Sequence, residues 1–281
     1  MVYLSSYGMI RKSLFFRKSF TFLMISLNIL IFFILSPLLF FYPEIQSYIF
    51  LKPSDILQGK NVWTIFTSIF MHGNLLHLAV NMFTLFFIGM FCEQLIGKKR
   101  IIWLYLFSGI FGSLAFVYFA YLGTFFPLGE KLFGSVDISG VGASGALFGL
   151  LGLLAVLIPN QRIYLITGPL IGIIFQVIFS SLGNNFIFVI LSYVALIFTF
   201  ISAFAMFAPF SSIRKISLPL EMKLWVAPFI AIVPLMIIGI FVSLPIGNTA
   251  HFGGLLVGLA YGFYLRKKYP KKVALLGRFF K

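Results

Sequence analysis

Eight apolar runs follow one another along this chain, at roughly 20–42, 71–96, 101–122, 144–158, 163–182, 186–208, 224–243 and 250–265. A helix rises 1.5 Å per residue, so about 20 apolar residues cross a hydrocarbon core of about 30 Å. Only 10% of the 281 residues are charged and mean hydropathy is +1.08, where a soluble domain carries about a quarter charged residues. No strand pattern, fixed-period repeat or low-complexity tract interrupts the series. The pattern predicts an all-α polytopic membrane protein of about eight spans.

The net charge of +15 raises the question of a nucleic-acid partner. The positions of the charges answer it. With the N-terminus in the cytosol, only Lys52, Lys60 and Lys131 of the 21 basic residues fall in outer segments. Arg11, Lys12, Arg17, Lys18, the Lys98–Arg100 cluster, Arg162, Arg214, Lys215, Lys223 and the tail from Arg266 onward all lie inside. That asymmetry is the positive-inside rule, and it accounts for the high pI without nucleic acid. The basic tail reads as a topology anchor first, with contact to anionic lipid as a second use.

The basic start at 1–19 precedes an apolar stretch longer than the 7–15 residues of a signal-peptide core, so we expect a retained first span. A membrane domain over 20–266 and a cytosolic tail over 267–281 follow. The single cysteine, Cys92, excludes an internal disulfide and a multi-cysteine metal site. It reads as a small buried hydrophobe. Residues 43–70 and 123–143 are expected as external loops, the first anchored in the interface by Trp63.

Gly140-Val141-Gly142-Ala143-Ser144-Gly145 places one hydroxyl among glycines where a loop gives way to an apolar helix. Backbone N–H groups at a helix start lack intrahelical partners and favour negative charge, which suits half of an acyl-transfer site. The same residues also suit a small-residue packing seam in lipid. Helix lengths bear on the choice. Ser144 to Ile158 and His251 to Leu265 are each 15 residues, followed shortly by Arg162 and by Arg266-Lys267-Lys268. Each helix rises only about 22 Å, so Ser144 and His251 should lie at one depth, below the outer surface. Irregular backbone there requires a protein-lined or watered cavity.

The chain has three histidines, His72, His77 and His251, all expected near outer-side helix starts. His77 and Asn81 are four apart and share a helix face. Ionisable groups at membrane depth are functional hypotheses by default.

These residues together resemble the rhomboid intramembrane serine proteases. Gly142-Ala143-Ser144-Gly145 matches the family's Gly-x-Ser-Gly. His72, His77 and Asn81 match its His-x4-His-x3-Asn pattern. Ala250-His251-Phe252-Gly253-Gly254, with Gly258 and Gly262, matches its histidine span. The resemblance implies a six-helix core in which Ser144 is the nucleophile and His251 its base, a dyad without aspartate. It further implies that His77, Asn81 and the Ser144 N–H line an oxyanion hole, with His72 and Gly142 in support. Neither metal nor cofactor is implied. The implied substrates are single-span membrane proteins in the lipid bilayer, cut near the outer face of the cell membrane, with both termini cytosolic.

Three departures from the family stand out. Phe148 replaces a common tyrosine one turn after Ser144, and its ring can still pack on His251. Thr64 follows Trp63 where arginine is frequent. Two extra apolar runs, 163–182 and 186–208, separate Ser144 from His251 and read as an inserted hairpin. Glu93 reads as a structural acceptor for loop N–H groups. Gly254, Gly258 and Gly262, with Gly145 and Gly149, read as a helix contact. Two other functions compete: a catalytically silent relative that binds membrane clients, and a small-solute transporter built on glycine-broken helices. The transporter lacks paired carboxylates at mid-membrane.

Overall fold

The computed structural model describes residues 19–183, 185–205, 211–241 and 247–279. The N-terminal basic residues Arg11, Lys12, Arg17 and Lys18 and the final Lys281 lie outside them. The chain divides into two compact units, 1–157 with 247–270 and 158–246 with 271–281.

In the first unit, helix α1 (Phe20–Phe41) buries Phe20, Met24, Asn28 and Phe32, a stripe of residues four apart. Its other faces stay apolar and exposed, as at Phe33 and Phe40. A helix that is apolar on its exposed side as well as its packed side suits lipid. Helix α2 (Leu75–Ile96) is N-capped by Asn74, whose Oδ1 accepts from His77 N at 2.8 Å. It passes through a π-helical turn at Leu85–Gly89.

Helix α3 (Lys98–Gly123) buries the small-residue face of Ser108, Gly109, Gly112 and Ser113 and exposes Trp103, Phe107, Phe111 and Tyr118. Helix α4 (Ser144–Leu157) is the inner element, with 11 of its 14 residues buried. It meets its expected bounds to within one residue, because Pro159 follows and cannot continue a helix. The C-terminal helix of this unit, numbered below, spans Asn248–Lys268.

The second unit contains strand β1 (Arg162–Ile166), helices α5 (Thr167–Ser181) and α6 (Phe186–Ala205), strand β2 (Pro219–Lys223) and helix α7 (Ala227–Phe241). The two strands correct the expectation of a strand-free chain. They pair antiparallel, Arg162 opposite Lys223 through Ile166 opposite Pro219, and Arg162 bridges Glu221 at 2.8 Å. Arg-Ile-Tyr-Leu-Ile is rich in β-formers, but it merges without a break into the following apolar run, so its short period was hidden. The expected run at 163–182 is therefore helical only from Thr167. Helices α5 and α6 pack through Gly168 and Gly172 against Ser202, Thr199 and Ala195.

Helix α8 (Asn248–Lys268) begins three residues before His251 and runs through Arg266, Lys267 and Lys268. This corrects the expected stop at Leu265. Lysine and arginine are good helix formers and favour a helix C-terminus. A last helix, α9 (Pro270–Phe279), follows. Among the described residues, α1, α2, α3 and α6 are long and apolar enough to cross a membrane by length and composition. The protein is an all-α polytopic membrane protein in its architecture, with one short strand pair.

Candidate active site

Ser144 and His251 are brought together by glycines, whose missing side chains let three helices touch by backbone. A Cβ on Gly254 would overlap the Gly145 carbonyl, and one on Gly258 would overlap that of Gly149. From the other side, a Cβ on Gly112 of α3 would stand 2.8 Å from Ala250 O and 3.4 Å from Gly145 Cα. The expected contact of Gly254 and Gly258 with Gly145 and Gly149 is therefore present. Gly262 instead faces Val156. The third partner, α3, was not anticipated. Its signal was available in Ser108-Gly109-x-x-Gly112-Ser113, a small-residue cluster inside an apolar run.

The consequence is a side-chain contact between residues 107 apart in sequence: His251 Nε2 lies 2.8 Å from Ser144 Oγ. His251 is the fourth residue of α8 and is buried, whereas Ser144, first in α4, is half-buried. Phe148 stacks on the imidazole, ring centroids 4.3 Å apart and planes 13° from parallel. The hydroxyl that the family's tyrosine would add is not needed for that contact. His251 Nδ1 has no hydrogen-bond partner among the described residues.

Two residues before Ser144, the Gly142 backbone packs closely against His77 and Asn81. A Cβ built at Gly142 would stand 2.8 Å from His77 Cε1, 2.9 Å from His77 Nε2 and 3.6 Å from Asn81 Nδ2. The Gly142 φ of +129° is also one that side chains rarely tolerate. Glycine is thus required twice over, for backbone shape and for space. Asn81 Nδ2 is buried and has no partner among the described residues, an amide donor held ready for an acceptor. The N–H groups of Ser144 and its successors open the helix from the same place. The His72 ring packs edge-on against the His77 ring at 5.1 Å, fully buried behind it. His72 precedes α2 rather than starting it.

The loops of residues 43–70 and 123–143 act as one support. Leu51 and Gly140 exchange both backbone hydrogen bonds, at 3.0 and 2.8 Å, and Gly142 N donates to Ser68 O at 2.9 Å. The loop of residues 43–70, a chain of short helical turns, thereby braces the segment that delivers Ser144. Lys52 and Ser54 both reach Asp137, at 3.2 and 3.1 Å. Hydrogen bonding to Lys52, then to Ser54, holds the Asp137 carboxyl below its ordinary range. Trp63 donates from Nε1 to Tyr48 O at 2.9 Å, and Thr64 is fully buried with Oγ1 donating to Asn61 O at 2.7 Å. The residue that replaces the family's arginine thus closes its own turn. Ser68 and Leu51 were missed from sequence because only their backbone groups contribute.

Glu93 accepts hydrogen bonds from Ser19 Oγ, Phe20 N, Thr21 N and Thr21 Oγ1 at 2.7–3.0 Å. It is a structural acceptor, as expected, and the N–H groups it serves are those that open α1. Cys92 is buried, its Sγ 3.8 Å from Leu150 O. Among the described residues no group of three or more metal-ligating side chains assembles.

Comparison with known proteins agrees with this geometry. A family model described as "Rhomboid domain" matches residues 59–213 and 163–268. RHOMBOID-like protein 1 of Arabidopsis thaliana is 42% identical over 115 residues, which is 41% of this chain and 26% of that relative. Rhomboid protease GluP of Bacillus subtilis is 32% identical over 182 residues, 60% of this chain and 30% of that protein. Inactive RHOMBOID-like protein 8 of Arabidopsis thaliana is 32% identical over 123 residues, 43% of this chain and 31% of that relative. The matches thus span about a quarter to a third of the length of these relatives. The matched model extends over most of the chain and includes His77, Asn81, Ser144 and His251: the chain belongs to the rhomboid family.

Proposed function

We propose that the protein is an intramembrane serine endopeptidase that cleaves single-span membrane proteins. The single observation that carries this reading is the 2.8 Å contact between Ser144 Oγ and His251 Nε2, with the unpartnered amide donor of Asn81 packed on Gly142 nearby. A serine hydroxyl is a weak nucleophile until an adjacent base takes its proton. In the proposed reaction Ser144 Oγ attacks the scissile carbonyl carbon while its proton passes to His251 Nε2. The carbonyl oxygen, now an oxyanion, turns toward Asn81 Nδ2, His77 and the helix-start N–H groups. His251 then gives the proton to the departing amine, and an acyl-enzyme remains on Ser144. Water, deprotonated by the same imidazole, releases the acid and restores the serine. A carboxylate is not required for these transfers, because Phe148 holds the imidazole plane by stacking.

A peptide bond inside a helix is out of reach of such a site, so the substrate helix must unwind locally. Glycine and other weak helix formers near the cleaved bond lower that barrier. We place the termini in the cytosol and the site near the outer face of the cell membrane, on the basis of the charge asymmetry. We also read 163–208 as an insertion into a six-helix core. The even number of extra apolar runs supports it, because it leaves His251 on the same side of the membrane as Ser144.

The test compares wild type, Ser144→Ala and His251→Ala on a model single-span substrate and with a fluorophosphonate probe. Cleavage and labelling in wild type, both lost in the two variants, are expected. Equal cleavage by wild type and Ser144→Ala would overturn the reading. One observation favours a second reading, a silent client-binding relative: a plant relative of similar identity carries the name inactive. Absence of labelling in folded wild-type protein would select it.

A further inference from the structure

At the far end of α8 from His251, two cations are drawn onto one ring. Arg100 Nη2 donates to the Tyr269 hydroxyl at 3.3 Å, and its guanidinium lies 5.4 Å from that ring's centroid. Lys268 Nζ lies 5.8 Å from the same centroid, and it also donates to the Tyr264 hydroxyl at 2.7 Å. Neither Arg100 nor Lys268 takes part in an ion pair among the described residues. The carboxylates are committed elsewhere: Glu93 to the start of α1, Glu221 to Arg162 and Asp137 to Lys52. Glu44, Asp55 and Glu130 belong to the outer loops.

Further charge surrounds the pair. Lys98 and Lys99 are exposed in the first turn of α3, where the helix dipole favours anions, not cations. Arg266 and Lys267 are exposed in the last turn of α8. The positive-inside rule explains why cations gather on one side of the membrane. It does not explain why two of them converge on one neutral ring, a placement that an anion between them would stabilise. Apolar surface adjoins the cluster: Trp103, one turn into α3, and Phe263, just over one turn back along α8, are both exposed.

We propose that Arg100, Lys268 and Tyr269 form a binding site for the phosphodiester headgroup of an anionic phospholipid, whose acyl chains lie along Trp103 and Phe263. The site is in the leaflet opposite the catalytic residues, since the 17 residues from His251 to Lys268 rise about 26 Å. It is independent of the proteolytic reading.

The experiment follows binding of phosphatidylglycerol to the full chain in zwitterionic detergent, with phosphatidylcholine and inorganic phosphate as comparators. Each cation near an anionic surface changes apparent affinity by about fivefold, so Arg100→Gln/Lys268→Gln should weaken phosphatidylglycerol binding about 25-fold. Arg100→Gln alone should give part of that loss, and Arg162→Gln, whose arginine already has an acidic partner, none. Native mass spectrometry of the retained lipid supplies a readout that does not depend on the stability of the double variant. Equal phosphatidylglycerol binding by wild type and the double variant would overturn the proposal. So would phosphatidylcholine binding as tight as phosphatidylglycerol, or phosphate alone competing at equal concentration, which would mark an ion site instead.

Discussion

Two small-residue seams run through this molecule, and they do different work. Between α4, α8 and α3, glycine meets backbone: Gly254 on the Gly145 carbonyl, Gly258 on that of Gly149, Gly112 on that of Ala250. Between α5 and α6, glycine meets side chains first: Gly172 faces Thr199 Oγ1 and Gly168 faces Ser202 Cβ. Those hydroxyls bond within their own helix, Thr199 to Ala195 O and Ser202 to Thr199 O. A side chain can rotate away from an intruder, whereas a helix carbonyl cannot. The first seam therefore sets an atomic distance, Ser144 to His251, and the second needs only to hold two helices together.

This contrast predicts a hierarchy. The largest effect belongs to Gly254→Val, which should abolish cleavage and destabilise the protein by about 1–3 kcal/mol or more through overpacking. Gly172→Ala should leave turnover within a few-fold and shift only thermal stability. A folded Gly172→Ala protein without activity would break the comparison. Next, Asn81→Ala should lower kcat by about 10²–10³ with little change in melting temperature, the loss typical of one oxyanion donor. Steady-state kinetics beside a thermal melt would show whether the two separate.

Smaller again is Phe148. Removing a stacked ring, as in Phe148→Leu, should forfeit about 0.5–1.5 kcal/mol of transition-state support, up to roughly tenfold in kcat, with Phe148→Tyr close to wild type. The smallest effect concerns the loop brace. The Asp137 carboxyl is depressed below its unfolded value, so its contribution to stability is present above that value and lost as pH falls through the lower, folded one. Asp137 is exposed, and screening keeps the effect slight. A melt of Asp137→Asn against wild type should differ slightly at pH 7 and coincide at pH 2.

Much of this was legible from residue order. The bounds of α4 followed from Ser144 and Pro159, and the shared depth of Ser144 and His251 from equal run lengths before basic residues. The stacking of Phe148 and the structural role of Glu93 were expected and are present. The strand pair was not legible, because Arg162–Ile166 blends into the next apolar run and its partner, Pro219–Lys223, lies more than fifty residues away. The joining of the loops at 43–70 and 123–143 was hidden for a related reason. It runs through backbone groups of Leu51, Ser68 and Gly140, and every residue type carries those.

Composition and spacing alone settled that this chain lives in a bilayer, and the resemblance carried by its motifs pointed to Ser144, His251, His77 and Asn81 as candidate site residues. Apolar periodicity and the expense of polar groups in lipid are one-dimensional signals, readable along a string. The distance from Ser144 to His251, the packing of His77 and Asn81 on Gly142 and the convergence of Arg100 and Lys268 on Tyr269 were decided only in three dimensions. Each depends on how closely two helices approach, and that approach is set by glycines on both partners at once.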